Sequence, residues 1–475
     1  MSKTLTPDIC VIGAGSGGLS VAAAAAAFGV PVVLIESGKM GGDCLNYGCV
    51  PSKAIIAAGK KAHVAQHSED FGVTLGKPKV SFRKVQQHVS SVIETIAPMD
   101  SQERFEAMGV TVLRDRARFT DEKTVVAGDT TIRARRFVVA TGSSPFVPPI
   151  PGIETVEYFT NETLFDRTTN PGRMIIIGGG PIGMEMAQAH QRLGAKVTVI
   201  EGDRVLGKDD PELAAIVTDA IRAEGVTLME KTKVVRLEPA GESGVRVHVE
   251  TAEGTDTVEG DTLLVATGRK ANIEDLGLEE AGIEIERRSI KVSEKMRTTN
   301  SRVYAIGDVS GSLQFTHMAG YHAGLVIRAI LFRLPAKENR HIIPWCTYTE
   351  PELAHVGHTE ETARKENGKI TVLRWPYGEN DRAQAERVTT GLIKLVTMKN
   401  GKILGATIAG VQAGEMMNFW ALAIAQGLKV KDIAGYVAPY PTLSEIGKRA
   451  ATSYYTPTTR KPLVRRVIDF LRIFG

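Results

Sequence analysis

A short apolar run, Ile9-Cys10-Val11-Ile12, stops at Gly13-Ala14-Gly15-Ser16-Gly17-Gly18. An Ala-rich stretch follows, then a second apolar run from Val32 to Ile35, closed by Glu36. Strand, Gly-x-Gly-x-x-Gly, helix, strand, acid is an order that few folds accommodate. Gly13 makes the tight turn, Gly15 lets backbone approach a pyrophosphate, and Gly18 lets helix and strand close on each other. The helix N-terminus offers N–H groups and a positive dipole end to that pyrophosphate, and Glu36 accepts from ribose hydroxyls. One such motif is weak, but this one recurs. Met174 to Ile177 runs into Gly178-Gly179-Gly180-Pro181-Ile182-Gly183, then a helix, then Val197 to Ile200 and Glu201. The last glycine and the acid are 18 residues apart in both copies.

Each copy is followed by a strand ending in Ala-Thr-Gly, Phe137 to Gly142 with Thr141, and Leu263 to Gly268. The chain is therefore expected to be α/β, with two Rossmann-like dinucleotide-binding domains in series. One holds a tightly bound redox cofactor and the other an exchangeable nicotinamide, because a hydride must enter from one and leave through the other. Val303 to Asp308 reads as another strand ending in Gly-Asp, and from about Ile342 alternating strand-like runs and a helix over 415–426 indicate an α+β third domain.

Composition excludes several classes. Lys plus Arg is 58 against 54 for Asp plus Glu, a net charge of +4 that is too small to argue for nucleic acid as a partner. The longest apolar run, Val21 to Phe28, is far short of the roughly 20 residues of a membrane span. No secretory apolar region opens the chain, and four cysteines make no disulfide framework. A cytoplasmic protein is the expectation.

Cys44 and Cys49 lie just beyond the first unit, after Gly41-Gly42-Asp43 and before Val50-Pro51-Ser52-Lys53. Residues five apart sit about 140° round an ideal helix, so a bridge needs a distorted turn, which Gly48 permits. Two small buried hydrophobes would be the plain alternative. Zinc lacks further ligands, since Cys10 and Cys346 sit in apolar strand-like segments, and no metal site is expected. Beside a dinucleotide loop, a redox-active disulfide is the reading taken. Lys53 can stabilise a thiolate or a reduced flavin by its charge.

With these motifs in place, the chain resembles the pyridine nucleotide–disulfide oxidoreductase family from Cys10 to about Tyr455. The resemblance implies FAD on the first loop (Gly13, Gly15, Gly18, Glu36, Gly42, Lys53, Thr141, Gly142) and on Asp308, with His317 on a helix pointing at the flavin. It implies the nicotinamide on Gly178, Gly180, Gly183, Glu201 and Gly268. Cys49 would lie beside the flavin, Cys44 would exchange with substrate, and Lys53 would pair with Glu185. Electrons would pass from NADH through FAD to the cysteine pair and on to a small-molecule acceptor. The implied domains are FAD-binding over 1–150 and 271–340, NAD(H)-binding over 151–270, and dimerisation over 341–459, giving a homodimer. Glu201 would accept from a 2′-hydroxyl and repel a 2′-phosphate, so NAD(H) is expected over NADP(H), with Arg204 the one nearby cation.

One departure stands out. Disulfide-reducing members close with His-Pro-Thr-x-x-Glu, the histidine serving as acid/base. Here the segment reads Tyr440-Pro441-Thr442-Leu443-Ser444-Glu445. Tyrosine titrates near 10, a poor base at neutrality, and losing a positioned base typically costs ~10²–10⁴ in rate. Tyrosine here resembles the mercuric reductase branch, yet that branch's second cysteine pair and usual N-terminal metal-binding module are not in this sequence. His317 and His322 could supply a base, although packing roles are the simpler expectation, and Tyr440-Pro441 is expected to be cis. The first substrate expectation is lipoamide or a similar small disulfide. The alternatives are a mercuric-reductase-like reductase of a metal ion or quinone, and a catalytically quiet flavoprotein acting through partners.

Residues 460–475 form a basic amphipathic tail, with Val464, Val467, Ile468, Leu471 and Phe474 at helical spacing and Arg465, Arg466 and Arg472 elsewhere. Such a helix can lie on an anionic membrane. Packing on its own domain is the expectation taken.

Overall fold

The computed structural model describes residues 3–76, 78–242 and 244–475. They divide into two compact units, 1–202 with 231–338, and 203–230 with 339–475.

In the first unit, the apolar runs form a five-stranded parallel sheet in the order Val303–Ala305, Arg136–Val139, Ile9–Ile12, Val32–Ile35, Thr111–Leu113. Ile9–Ile12 and Val32–Ile35 are buried at every position, as strands covered on both faces must be. The helix Ser16–Ala27 packs its small residues on the helix Thr316–Leu331. The second Gly-rich unit repeats the plan, with Arg173–Ile177 pairing in parallel with Lys196–Ile200 and Thr262–Val265, and the helix Pro181–Arg192 between the first two strands. A three-stranded antiparallel sheet, Lys233–Ala240, Gly244–Thr251 and Gly254–Gly260, is attached to it.

The second unit is built on a five-stranded antiparallel sheet ordered Trp345–Thr347, Glu352–Gly357, Ile403–Gly410, Leu392–Met398, Ile370–Pro376. The helix expected over 415–426 spans Ala413–Ala425 and packs on it together with Glu445–Ser453. Lys394, 5% exposed, is neutralised by Asp210, Glu212 and Glu360 at 2.8–3.0 Å.

The tail forms its helix, Pro462–Leu471, with proline in the first turn where its missing N–H costs nothing. The expectation that it packs on its own domain is corrected here. No residue of that helix is buried, and its main contacts are with the adjoining segments Thr456–Thr459 and Arg472–Phe474. No helix among the described residues is long and apolar enough to cross a membrane.

Candidate active site

The two cysteines straddle a break between helices. Cys44 sits in the short helix Gly42–Asn46, and Cys49 is the first residue of Cys49–Gln66. Gly48 lies between them at φ −115°, ψ −113°, and a Cβ there would meet Asp43 Oδ2 at 2.7 Å. The distorted turn expected from the sequence is therefore present, with little room beside Gly48 for a side chain. Both cysteines are thiols in this structure.

Their environments push the two sulfurs apart. The hydrogen bond donated by Cys44 draws the Cys49 thiol down to about 6, with Thr316 and the Lys53 charge helping and burial opposing. Cys44 moves upward, because it donates to Cys49 and is partly buried. Thr316 Oγ1 lies 3.4 Å from Cys49 Sγ. A thiolate at the first residue of a helix also meets the positive end of the helix dipole. The geometry thus stabilises a thiolate at Cys49 and leaves Cys44 as its proton-bearing neighbour.

Behind them, Lys53 Nζ donates to Glu185 Oε2 at 2.8 Å, and Glu185 is only 5% exposed. The contact joins the helices Cys49–Gln66 and Pro181–Arg192. These approach closely because Gly59 lies against the backbone of Ala189, where a Cβ would stand 3.1 Å from its carbonyl oxygen.

The two Gly-rich loops have the shape a dinucleotide needs. Gly13, at φ +104°, leaves no room for a Cβ, which would fall 2.5 Å from Ala140 O. A Cβ on Gly18 would fall 1.8 Å from Gly13 O, whereas at Gly15 the nearest atom is Gly42 Cα at 3.9 Å. The second loop repeats this. Gly178, at φ +111°, would clash with Ala266 O at 2.4 Å, Gly183 with Gly178 O at 2.0 Å, and Gly180 faces open space. In both, packing fixes the outer glycines, and the middle one leaves a backbone-lined cradle that a side chain would fill. Glu36 accepts from the backbone N–H of Ala14 and Gly38 at 2.6 Å each, and Glu201 from Gly179 N–H at 2.7 Å. These residues fit FAD and a nicotinamide dinucleotide. Open space also adjoins Gly142 and Gly268, while Thr141 donates to Asn272 O at 2.7 Å.

Asp308 is linked to the cysteine segment by a chain the sequence did not reveal. Ser143 Oγ donates to Asp308. Arg269 donates to Ser143 Oγ and Ser143 O at 2.7 Å each and pairs with Asp43 at 3.0 Å. Asn161 Nδ2 donates to Asp43 at 3.2 Å and to Tyr47 O at 3.0 Å. Burial pushes the Asp308 carboxyl upward, against its hydrogen bond from Ser143. The one available signal was Arg269, directly after Ala-Thr-Gly in the second copy.

His322 is fully buried, accepting from Gly307 N–H at 3.1 Å and meeting Glu338 at 2.9 Å. His317 is exposed and stacks on Phe315 at 5.2 Å. In the second unit, Tyr440 precedes a cis peptide to Pro441 and is 68% exposed. Its hydroxyl donates to Asp381 Oδ2 at 2.8 Å, and that carboxylate pushes the phenol above its usual range. Glu445 begins the helix Glu445–Ser453 and is half-buried. Arg204 is turned to its own loop, donating to the carbonyls of Gly207 and Asp209. A feature no spacing suggested is His341, His358 and Glu366, whose ligand atoms lie within 4.8 Å of one another.

Two dinucleotide cradles, and a dithiol whose sulfurs are driven to different protonation states, define a redox flavoprotein of the disulfide oxidoreductase class. Residues 7–323 match the pyridine nucleotide-disulphide oxidoreductase family model, and residues 343–451 match the dimerisation domain of that family. The chain belongs to this family, and its dimerisation domain marks it as a homodimer. Among relatives, it is 34% identical to a mercuric reductase of Bacillus cereus over 94% of this chain and 71% of that one. It is also 34% identical to dihydrolipoyl dehydrogenase of Bacillus subtilis, over 94% and 95%. The HOCl-induced flavoprotein disulfide reductase RclA from Escherichia coli superposes with a TM-score of 0.83 at 27% identity, covering 94% of this chain and 99% of that one.

Proposed function

We propose that this chain uses NADH to reduce an acceptor that binds thiolates and needs no acid/base partner, a thiophilic metal ion being the first choice. The observation carrying this reading is Tyr440. Its hydroxyl is donated to Asp381, whose charge holds the phenol protonated. A protonated phenol cannot take the proton that a dithiol substrate must lose. The two names found among the relatives, mercuric reductase and dihydrolipoyl dehydrogenase, are compatible with this position between branches.

FAD, when bound, supplies a two-electron relay between the nicotinamide and the cysteine pair. Cys44 and Cys49 form the disulfide in the oxidised protein and the dithiol in the reduced one. After reduction, Cys49 holds the thiolate and Cys44 the proton. Cys44 is the sulfur that meets the acceptor, and a metal ion displaces its proton as the thiolate ligates. Lys53 keeps a positive charge beside Cys49, and Glu185 fixes the lysine in place. Glu201 selects NADH over NADPH by accepting from the 2′-hydroxyl and repelling a phosphate there. Arg204, turned to its own loop carbonyls, supports the same preference.

Lipoamide remains the second reading, favoured by Glu445, which is retained after Tyr440 as in dithiol-oxidising members. Turnover of dihydrolipoamide with NAD⁺ by wild type and Tyr440→His, beside NADH-driven reduction of Hg(II), separates the two. A slow wild type that gains ~10²-fold or more in the histidine variant, together with metal reduction by wild type, supports the first reading. Wild-type lipoamide turnover at ~10–10³ s⁻¹ overturns it in favour of the second.

A further inference from the structure

Residues 460–475 lie beyond both family-model matches, which end at 451. Within Pro462–Leu471, at 100° per residue, Leu463, Val464, Val467, Ile468, Phe470 and Leu471 fill an arc of roughly 160°. Every one of these except the half-buried Val464 is exposed, Leu463 to 71% and Phe470 to 59%. Ile473 and Phe474 continue the apolar surface at 76% and 73%. A contiguous apolar face of this kind marks an interaction site.

The charges say what kind. Arg465 and Arg466 project on opposite flanks of the apolar arc, and the only acid, Asp469, falls midway between them on the polar face. Residues 460–475 hold five basic side chains against that one acid, a surplus as large as the formal charge of the whole chain, +4. The rest of the protein is neutral on balance, and its excess positive charge is concentrated on the segment with the open apolar face.

We propose that this helix docks the protein on an anionic lipid surface, its axis in the plane of the membrane. Flanking arginines bury their stems beside the apolar face and reach headgroup phosphates, and Asp469 points to water. Each arginine or lysine near an anionic surface contributes about five-fold to partitioning. A second tail of the same charge would be repelled, which argues against self-pairing of this face. The homodimer carries two such helices, so simultaneous engagement strengthens the attachment beyond either helix alone. The proposal is independent of the acceptor and of the nicotinamide preference.

The test is co-sedimentation of the FAD-loaded full chain with vesicles of phosphatidylcholine, alone or with 30% phosphatidylglycerol (about a third anionic lipid). Binding to the anionic vesicles at least about ten-fold tighter than to the neutral ones is expected, weakening as salt rises. The charge reversal Arg465→Glu/Arg466→Glu and the apolar disruption Ile468→Asp/Phe470→Asp each abolish it, while NADH-driven dye reduction stays at the wild-type rate. Three results would overturn the proposal: no vesicle binding, equal binding to neutral vesicles, or binding that survives both variants. A change from dimer to monomer in Ile468→Asp/Phe470→Asp, seen by sedimentation velocity, would assign the face to a subunit contact and overturn it too.

Discussion

Lys53 Nζ donates to Glu185 Oε2 at 2.8 Å, tying the helix that begins with Cys49 to the helix that follows the second Gly-rich loop. The contact joins two motifs of the first unit, since one helix begins with Cys49 and the other starts at the second Gly-rich loop. Lys53→Met removes a charge-assisted hydrogen bond to a buried carboxylate, at a cost of about 1–3 kcal/mol. The expected outcome is a lowered thermal midpoint together with a raised Cys49 pKa, because Lys53 is one of the charges holding that thiol down. An unchanged pKa in a stably folded variant would remove Lys53 from the sulfur's electrostatics.

The reduced protein should titrate as an acidic thiol. With Cys49 lowered to about 6, its thiolate is present above that pH and lost below it, whereas an ordinary cysteine is mostly protonated until about 8.5. Thiolate absorbance followed against pH in the NADH-free, chemically reduced enzyme is expected to show a midpoint near 6. Cys44→Ala deletes the largest stabilising hydrogen bond and is expected to move that midpoint upward by about a unit or more.

Neighbouring glycines in the second loop should behave in opposite ways. Gly180→Ala places its Cβ in open space, so folding is retained while NADH binding weakens by about ten-fold or more, ~1.4 kcal/mol. Gly183→Ala places its Cβ 2.0 Å from Gly178 O, an overpacking that costs about 1–3 kcal/mol or more in stability. Calorimetric NADH titration and thermal melting read the two effects separately. Equal behaviour of the two variants would contradict the cradle geometry.

The buried lysine of the second unit should dominate that unit's stability. Lys394→Met leaves Asp210 and its neighbours without their shared cation, and breaking a buried pair from one side costs about 3–5 kcal/mol. Burial alone would lower the Lys394 pKa, but the three carboxylates outweigh it and raise it. Glu360, its hydrogen bond to Lys394 the first cause, is lowered to about 2. Its contribution is complete above the ordinary glutamate pKa near 4.3 and is lost as pH falls from there toward 2. Melting curves across that interval are expected to separate wild type from Glu360→Gln above pH 4.3 and to merge them near pH 2.

What the sequence carries legibly is local. The two Gly-rich units, their 18-residue spacing and the cysteine pair are contiguous patterns, and the structure places Gly13, Gly18, Gly178 and Gly183 at close backbone approaches that only glycine tolerates. Asp43, Asn161, Ser143, Arg269 and Asp308 were not legible as one network. They come from five separate segments, Ser143 and Arg269 meeting through the antiparallel pairing of Ser143–Pro145 with Arg269–Ala271, so no periodicity announces them. Lys394 was not legible for a related reason, because its partners Asp210, Glu212 and Glu360 come from other segments of the chain. The tail shows the reverse: its amphipathic pattern is plain, but pattern alone does not say what the apolar face meets.

The most direct test of the central claim, a reactive thiolate at Cys49 beside bound FAD, is anaerobic addition of NADH to the FAD-loaded protein while the visible spectrum is recorded. A long-wavelength thiolate-to-flavin charge-transfer band in wild type, absent in Cys49→Ser, is the expected result. Bleaching of the wild-type flavin without that band would contradict the account.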